Sequence, residues 1–230
     1  MDNAELTRRF ATLTTAHVAD GCLRAGLPVR CAPAGTAAVI PGTTVAGRVV
    51  PARHAGSVDV FLEALGQTEP GDVLVVDNHG RLDESCVGDL ITLEAQQAGL
   101  GGIVIWGLNR DTVDIRAIGL PVFSLGNLPT GPLHSIERPA DALELAHVGD
   151  QTTTRLDAVL GDEDGVLFVA YDSLDTVLAH AEQIRDTERR QADLIAAGTS
   201  LREQVRFEEY LQSGLSFREH LRGVGGEIGV

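Results

Sequence analysis

The chain has 230 residues, 43% of them hydrophobic and 22% charged, a balance typical of a folded globular protein of one large or two small domains. No apolar run reaches the roughly 18 residues of a membrane span, and the first residues lack the blocks of a secretory signal, so we expect a cytoplasmic protein. The net charge of −15 argues against nucleic-acid binding. The absence of lysine excludes Schiff-base aldolases and pyridoxal-phosphate enzymes.

The first half of the chain predicts a parallel α/β core. Continuous apolar segments are typical of strands buried on both faces, and turns rich in glycine and proline separate them. The order strand–helix–strand–helix–strand predicts right-handed parallel crossovers. The predicted elements are a helical segment at 4–25, strands at 36–40, 44–52, 73–77, 102–106 and 121–125, helices at 57–66 and 88–99, and a short helix ending at Gly119.

The second half of the chain is predicted to change from strands to helices. Residues 146–170 have a β-rich pattern, and the pattern is helical from 172 onward. We expect one domain at 1–185 and a helical tail at 186–230. Because short helices flanked by turns are marginal alone, we expect this tail to pack on the body or on a neighbouring subunit.

Two loops at the carboxyl ends of predicted neighbouring strands form the candidate site, because ligands of such sheets bind there. Asp111 is a carboxylate that can hold a hard divalent cation, and Arg110 offers a rigid fork for an oxyanion. The other loop ends at a helix start, where free N–H groups and the helix dipole favour a bound carboxylate. The residues at that helix start are Gly88, Asp89, Leu90 and Ile91.

Both motifs also have a purely structural interpretation. Arg110 and Asp111 fit a surface ion pair at a helix start, with Asp111 as the N-cap. Asp89 fits a helix-capping residue that binds no ligand. In the functional alternative a metal is held directly by Asp111 and through water by Asp89, which explains a carboxylate beside an anion site.

The ordered motifs of the chain resemble those of the RraA-like family, which also contains the class II 4-hydroxy-4-methyl-2-oxoglutarate / 4-carboxy-4-hydroxy-2-oxoadipate aldolases. The resemblance covers roughly residues 12–185. Trp106 and Asn109 depart from it, since aldolase members often have Asp where Trp106 stands and small apolar residues where Asn109 stands. The motifs are AGRV at 46–49, PGDVLVVD at 70–77, GDL at 88–90, GLNRD at 107–111, PVF at 121–123 and GDEDGV at 161–166.

The resemblance implies an α/β fold of the swivelling β/β/α kind, assembled as homotrimers or homohexamers with sites at subunit interfaces. It implies that the loop from Gly88 to Ile91 binds the carboxylate of a 2-oxo acid and that Arg110 binds substrate. It also implies that Asp111 holds Mg²⁺ or Mn²⁺ and that Asp89 reaches the metal through water. The branch that regulates ribonuclease E lacks the metal aspartate, so an intact Arg110–Asp111 pair favours the enzymatic branch.

We therefore expect a divalent-metal-dependent lyase that cleaves a 4-hydroxy-2-oxo acid to pyruvate or a close analogue through a metal-stabilised enolate. Arg110 and Asp89 are the residues to which we assign catalysis, and oxaloacetate decarboxylation is an expected side activity. One alternative is a non-catalytic regulator that binds a ribonuclease. Another is a different lyase or hydratase on the same scaffold.

Overall fold

A mixed eight-stranded sheet lies at the centre of the protein, whose computed structural model describes residues 1–223. The elements of the first half, in chain order, are α1 (Asn3–Phe10), α2 (Thr15–Arg24), β1 (Arg30–Cys31), β2 (Ala37–Ala38), β3 (Val45–Arg53), α3 (Asp59–Leu65), β4 (Val73–Asp77), β5 (Ser85–Val87), α4 (Asp89–Gln97), β6 (Gly102–Trp106), β7 (Leu108–Asn109), α5 (Thr112–Ile118) and β8 (Val122–Ser124).

The second half of the chain completes the sheet and then becomes helical, as the sequence predicts. Its elements are β9 (Leu145–Val148), β10 (Gln151–Thr154), β11 (Asp157–Asp162), β12 (Gly165–Ala170), α6 (Leu174–Ala196), α7 (Leu201–Gln204), α8 (Phe207–Ser213) and α9 (Phe217–Gly223). The strand order in the large sheet is β1-β12-β11-β3-β4-β6-β8-β2.

The predicted parallel core is confirmed. Strands β3, β4, β6 and β8 lie side by side and run parallel, and Val75 pairs with Pro51 on one side and Val104 on the other. All five residues of β4 are buried, as expected for an apolar strand covered on both faces. Strand β11 extends this core antiparallel to β3, and β12 pairs antiparallel with β11. The expected α/β fold with a C-terminal helical tail is therefore confirmed.

The helical start of the chain differs from the single segment predicted at 4–25. Helices α1 and α2 are separated by a break at residues 11–14. Thr14 has an extended backbone, its Oγ1 accepts the His17 N–H, and the His17 ring nitrogen in turn accepts the Thr14 N–H. This reciprocal capping begins a new helix at Thr15. The two side chains accept hydrogen bonds from N–H groups that, in a continuous helix, would bond to the preceding turn.

The C-terminal helices continue from a helix that packs on the body. The first half of α6 buries an apolar face that includes Leu174, Leu178 and Ile184 and lies against α2. Helix α6 passes through residue 186, where we expected the tail to begin. The division of the chain into a domain at 1–185 and a tail at 186–230 therefore stays a prediction. The predicted tail extends to 230, and residues 224–230 lie outside the described residues. Within residues 1–223 no helix combines the length and the apolar character that a bilayer crossing requires.

Candidate functional site

Pairing of two short strands brings the two predicted loops together. Strand β5 pairs with β7 in parallel, with Ser85 opposite Leu108 and Val87 opposite Asn109. The Arg110 N–H donates to Val87 O at 2.9 Å, which continues this pairing by one residue. Because β5 leads into α4 and β7 leads into α5, the start of α4 lies directly beside Arg110 and Asp111.

Gly88 is the residue on which this close approach depends. It is the N-cap of α4 and has an extended backbone with φ −129°. A Cβ atom at this position would lie 3.2 Å from Arg110 Nε and would overlap Asp111 Oδ2. The absence of a side chain at residue 88 therefore lets the Asp111 carboxylate reach the start of α4.

Asp111 occupies the N-cap position of α5 without acting as its cap. Its backbone is left-handed, with φ 55° and ψ 40°, and its side chain makes no capping hydrogen bond. Oδ2 of Asp111 lies 3.3 Å from Arg110 Nε, and the two side chains are 36% and 44% exposed respectively. The capping interpretation of Asp111 is thus not what the geometry shows, and the carboxylate stays accessible to a ligand.

Asp89 lies in the first turn of α4 and contacts its own helix. Its half-buried carboxylate accepts the Leu90 N–H at 2.8 Å, while the Leu90 side chain is exposed and Ile91 is buried. Asp89 thus retains part of the structural role that we weighed against a functional one. The start of α4 still presents first-turn N–H groups that the helix itself does not use.

The donor set of this edge fits a hard divalent cation that keeps water ligands. Among residues 1–223 no three His, Cys, Asp or Glu side chains form a metal cluster. A zinc or calcium cage would need such a cluster, whereas Mg²⁺ is commonly held by one or two carboxylates and several waters. Asp111, uncapped and packed against Gly88, is a carboxylate suited to that kind of site.

Asn109 forms a buried hydrogen-bonded group beneath the Arg110–Asp111 pair. Its Oδ1 accepts the Ser124 hydroxyl at 2.8 Å. Its Nδ2 lies 3.1 Å from Thr112 Oγ1 and 3.4 Å from Arg110 O. A polar residue is stable here because both ends of its amide have partners. This explains how the chain carries asparagine where the resemblance leads us to expect a small apolar residue.

The sequence analysis missed a segment that lies against Arg110. We call residues 127–136 the strap segment. A Cβ at Gly131 would lie 2.6 Å from Arg110 Nη1, so the strap backbone touches the guanidinium. The Leu133 N–H donates to the buried Glu84 carboxylate at 2.7 Å, which ties the strap to the loop before β5. No sequence pattern identifies this contact, because the strap has no regular secondary structure.

Glu84 is held as a charged group although it is buried. Burial alone would raise the pKa of Glu84, but the Leu133 N–H, the His134 ring and the charge of Arg81 together lower it below its usual range. Arg81 Nε lies 3.2 Å from Glu84 Oε1, and His134 Nδ1 lies 3.4 Å from Oε2. The strap is thus fixed by a buried anion rather than by packing alone.

The loop that leads from β4 to the site begins at a buried carboxylate. Asp77, the last residue of β4, is fully buried. Its Oδ1 accepts the His79 N–H at 2.8 Å, and its Oδ2 accepts the His147 N–H at 3.0 Å. These bonds fix the turn through His79, whose backbone is left-handed with φ 56°.

Beside Asp77, a buried histidine is kept neutral. His54 Nδ1 lies 2.9 Å from Asn78 Oδ1, and the imidazole stacks on Phe61 with ring centroids 5.3 Å apart. Burial lowers the pKa of His54, and the hydrogen bond with Asn78 opposes this shift only in part. His54 therefore supports the loop as an uncharged group.

Comparison with known proteins identifies the same stretch of the chain that contains these loops. The profile of the RraA-like family, described as Aldolase/RraA, matches residues 15–168, which is more than half of the chain.

Two curated relatives match parts of the chain. Protein DlpA of Legionella pneumophila is 33% identical over 138 residues, which are 60% of this chain and 22% of that protein. A Laribacter hongkongensis protein named "Putative 4-hydroxy-4-methyl-2-oxoglutarate aldolase" is 39% identical over 106 residues, which are 46% of this chain and 65% of that protein. The chain thus spans less than two thirds of the length of either relative.

A solved structure shares the fold. RraAS2 of Streptomyces coelicolor, described as an unusual member of the RNase ES inhibitor RraA protein family, has a TM-score of 0.69 and 25% identity. The similarity covers 80% of this chain and 94% of that one.

Proposed function

The chain belongs to the RraA-like family, and on that premise we propose that it is a divalent-metal-dependent lyase that cleaves a 4-hydroxy-2-oxo acid to pyruvate or a close analogue. The Laribacter relative, named as an aldolase of a substrate in this class, supports the lyase assignment. Oxaloacetate decarboxylation is a side activity of the same proposal. We place the enzyme in the cytoplasm as a homotrimer or homohexamer.

The observation that carries the proposal is the arrangement of Arg110, Asp111 and Gly88. A cation and an uncapped carboxylate lie side by side at the carboxyl edge of a parallel sheet, against a residue without a side chain. Ligands of open α/β sheets bind at this edge.

Each residue of the site has a role in this proposal. Asp111 would hold Mg²⁺ or Mn²⁺ directly, and Asp89 would hold it through water. When bound, the metal withdraws electron density from the 2-keto oxygen of the substrate. The N–H groups at the start of α4 receive the substrate carboxylate, because the helix dipole favours an anion there.

Arg110 acts on the charge that develops during bond cleavage. When the C3–C4 bond breaks, its electron pair stays on C3 and is shared with the keto oxygen, while C4 becomes a carbonyl carbon. The C4 hydroxyl gives its proton to water, and water supplies the proton that C3 later takes up. The guanidinium of Arg110 stabilises the negative oxygen, and protonation of C3 then gives pyruvate. Oxaloacetate fits the same scheme, with carbon dioxide leaving in place of the carbonyl product.

The test is an assay of pyruvate release from 4-hydroxy-2-oxo acids and from oxaloacetate. We expect activity with Mg²⁺ or Mn²⁺, loss of activity with EDTA, and loss in Asp111→Ala and Arg110→Ala. Activity that is indifferent to the chelator, or that persists in Asp111→Ala, would refute the proposal.

A second candidate is a protein-binding regulator of a ribonuclease. The likeness to RraAS2 of Streptomyces coelicolor favours it, and the net charge of −15 suits a basic partner. Inhibition of a ribonuclease by wild type and Asp111→Ala alike, without metal-dependent pyruvate release, would support this candidate. A different lyase or hydratase on the same scaffold would give metal-dependent turnover with products other than pyruvate.

A further inference from the structure

We propose that Asn109 is a positioning residue. Its buried side-chain amide holds Asp111 in its left-handed conformation and so fixes the direction of the Asp111 carboxylate. The inference rests on the proposed function, because it gives Asn109 its purpose through the metal-binding role of Asp111.

Asn109 bonds to the chain on both sides of Asp111. Its Nδ2 lies 3.4 Å from the carbonyl oxygen of Arg110, the residue before Asp111, and 3.1 Å from Thr112 Oγ1, in the residue after it. The two contacts span the two peptide bonds of Asp111. The amide thereby restrains the backbone torsions that determine where the carboxylate points.

Asn109 is itself held firmly enough to impose this restraint on Asp111, which we call the brace. The residue is 1% exposed, and its Oδ1 accepts a hydrogen bond from the Ser124 hydroxyl at the end of β8. Its N–H donates to Gly126 O at 3.0 Å, and its carbonyl accepts the Leu128 N–H at 3.0 Å. The side chain is therefore fixed to the end of β8 and the main chain to the loop that follows β8, and the restraint passes from these segments to Asp111.

A restraint of this kind is needed because the conformation of Asp111 is intrinsically unfavourable. A left-handed backbone at a residue other than glycine persists when surrounding contacts determine it. Helix α5 contributes one such contact, since the Ile115 N–H donates to Asp111 O at 3.0 Å. The Asp111 side chain makes no capping hydrogen bond to α5. The hydrogen bonds of Asn109 therefore supply the restraint on the peptide that precedes Asp111.

Two measurements on the whole 230-residue chain test the brace. Binding of Mn²⁺ is followed by electron paramagnetic resonance without substrate, and hydrogen exchange is followed at the amides of 111–118. In Asn109→Ala we expect Mn²⁺ to bind about 10- to 100-fold more weakly, the usual effect of removing a group that orients a metal ligand. We also expect faster exchange of the Ile115 amide.

A pair of variants at Thr112 isolates the hydrogen bond from the packing. Thr112→Val removes the hydroxyl that Asn109 contacts while keeping the shape, and Thr112→Ser keeps the hydroxyl. We expect weaker Mn²⁺ binding and faster exchange in Thr112→Val and wild-type behaviour in Thr112→Ser. If Asn109→Ala fails to fold, the two Thr112 variants alone decide whether the hydrogen bond of Asn109 restrains Asp111. Thr153→Val removes another buried hydroxyl, bonded to Ala146 O at 3.2 Å in β9, and should leave both measurements unchanged.

The outcomes separate the brace from the proposed function. Equal Mn²⁺ affinity and equal exchange in wild type, Asn109→Ala and Thr112→Val would overturn the brace while leaving the metal site standing. Wild type that binds no Mn²⁺ would overturn the metal role of Asp111, and exchange alone would then decide whether Asn109 restrains it. An equal loss in Thr112→Val and Thr112→Ser would also overturn the brace, because the effect would then not follow the hydroxyl.

Discussion

Replacing Gly88 by alanine tests the site with a single methyl group. The φ of −129° at Gly88 is open to any residue, so alanine introduces no backbone strain. The new Cβ would overlap Asp111 Oδ2 and lie 3.2 Å from Arg110 Nε, so the carboxylate oxygen must retreat by about 1 Å to restore an ordinary contact. Metal–ligand distances tolerate only about 0.2 Å, and a misplacement of about 1 Å can cost about 100-fold in rate.

The expected result is selective damage to activity. We expect kcat/KM for metal-dependent pyruvate release to fall about 100-fold. Alanine is a poorer N-cap than glycine by roughly 0.5–1 kcal/mol, so the melting temperature should fall by only a few degrees, roughly 2–4 °C per kcal/mol for a chain of this size.

Gly66→Ala is the matched control for this substitution. Gly66 ends α3 with φ −65°, and the nearest atom to an added Cβ would be Glu63 O at 3.5 Å, an ordinary contact. This variant should keep wild-type activity and Mn²⁺ affinity. If folded Gly88→Ala kept both within about twofold, Asp111 would not act at the start of α4 and the argument from geometry would fail.

Three further predictions concern neighbouring groups. Asp111→Asn keeps the shape of the side chain but removes its charge, so metal-dependent turnover should fall more than about 100-fold while circular dichroism stays unchanged. In Gly131→Ala the added Cβ would lie 2.6 Å from Arg110 Nη1 and would push the flexible end of that side chain aside. In steady-state kinetics, KM for the 2-oxo acid should therefore rise about 3- to 10-fold with a smaller change in kcat. Burial lowers the pKa of His54, and its bond with Asn78 only partly opposes this. The unfolded chain therefore binds the proton first as the pH falls below about 6.5, and stability is lost by at most about 1.4 kcal/mol per pH unit. In urea unfolding at about pH 7.5 and 5.5, His54→Gln should lose less stability than wild type, and equal losses would contradict the assignment.

The sheet could be predicted from the sequence because its signals are local. The apolar runs at 73–76 and 102–106 have no polar interruption, and the structure places both in the parallel centre of the sheet. The rule that ligand loops follow parallel strands then placed Gly88 and Arg110 at one edge. The break between α1 and α2 was missed, because the capping pair Thr14 and His17 lies inside a pattern that is otherwise helical.

The finer geometry of the site depends on contacts between segments distant in sequence. The left-handed backbone of Asp111 leaves no mark in the sequence, since aspartate is also common at ordinary N-caps. The role of Asn109 depends on Ser124, which lies at the end of β8 in the large sheet, whereas Asn109 lies in the separate two-stranded sheet. Gly131 meets Arg110 through a strap that the Glu84 carboxylate helps to hold in place. Such pairings follow from tertiary packing, which a single sequence does not encode in any local pattern.

The energetics of the Arg110–Asp111 pair indicate that folding stability does not explain its geometry. Both side chains are more than one third exposed, and ion pairs of that kind contribute about 0–1 kcal/mol. The left-handed conformation at Asp111 alone costs about 1–3 kcal/mol. The Asp111 side chain recovers none of this as a helix cap. The backbone conformation thus costs more free energy of folding than the ion pair contributes. Such a cost is expected where a carboxylate must be held in position for a ligand, so ligand binding at this edge accounts for the geometry better than folding stability does.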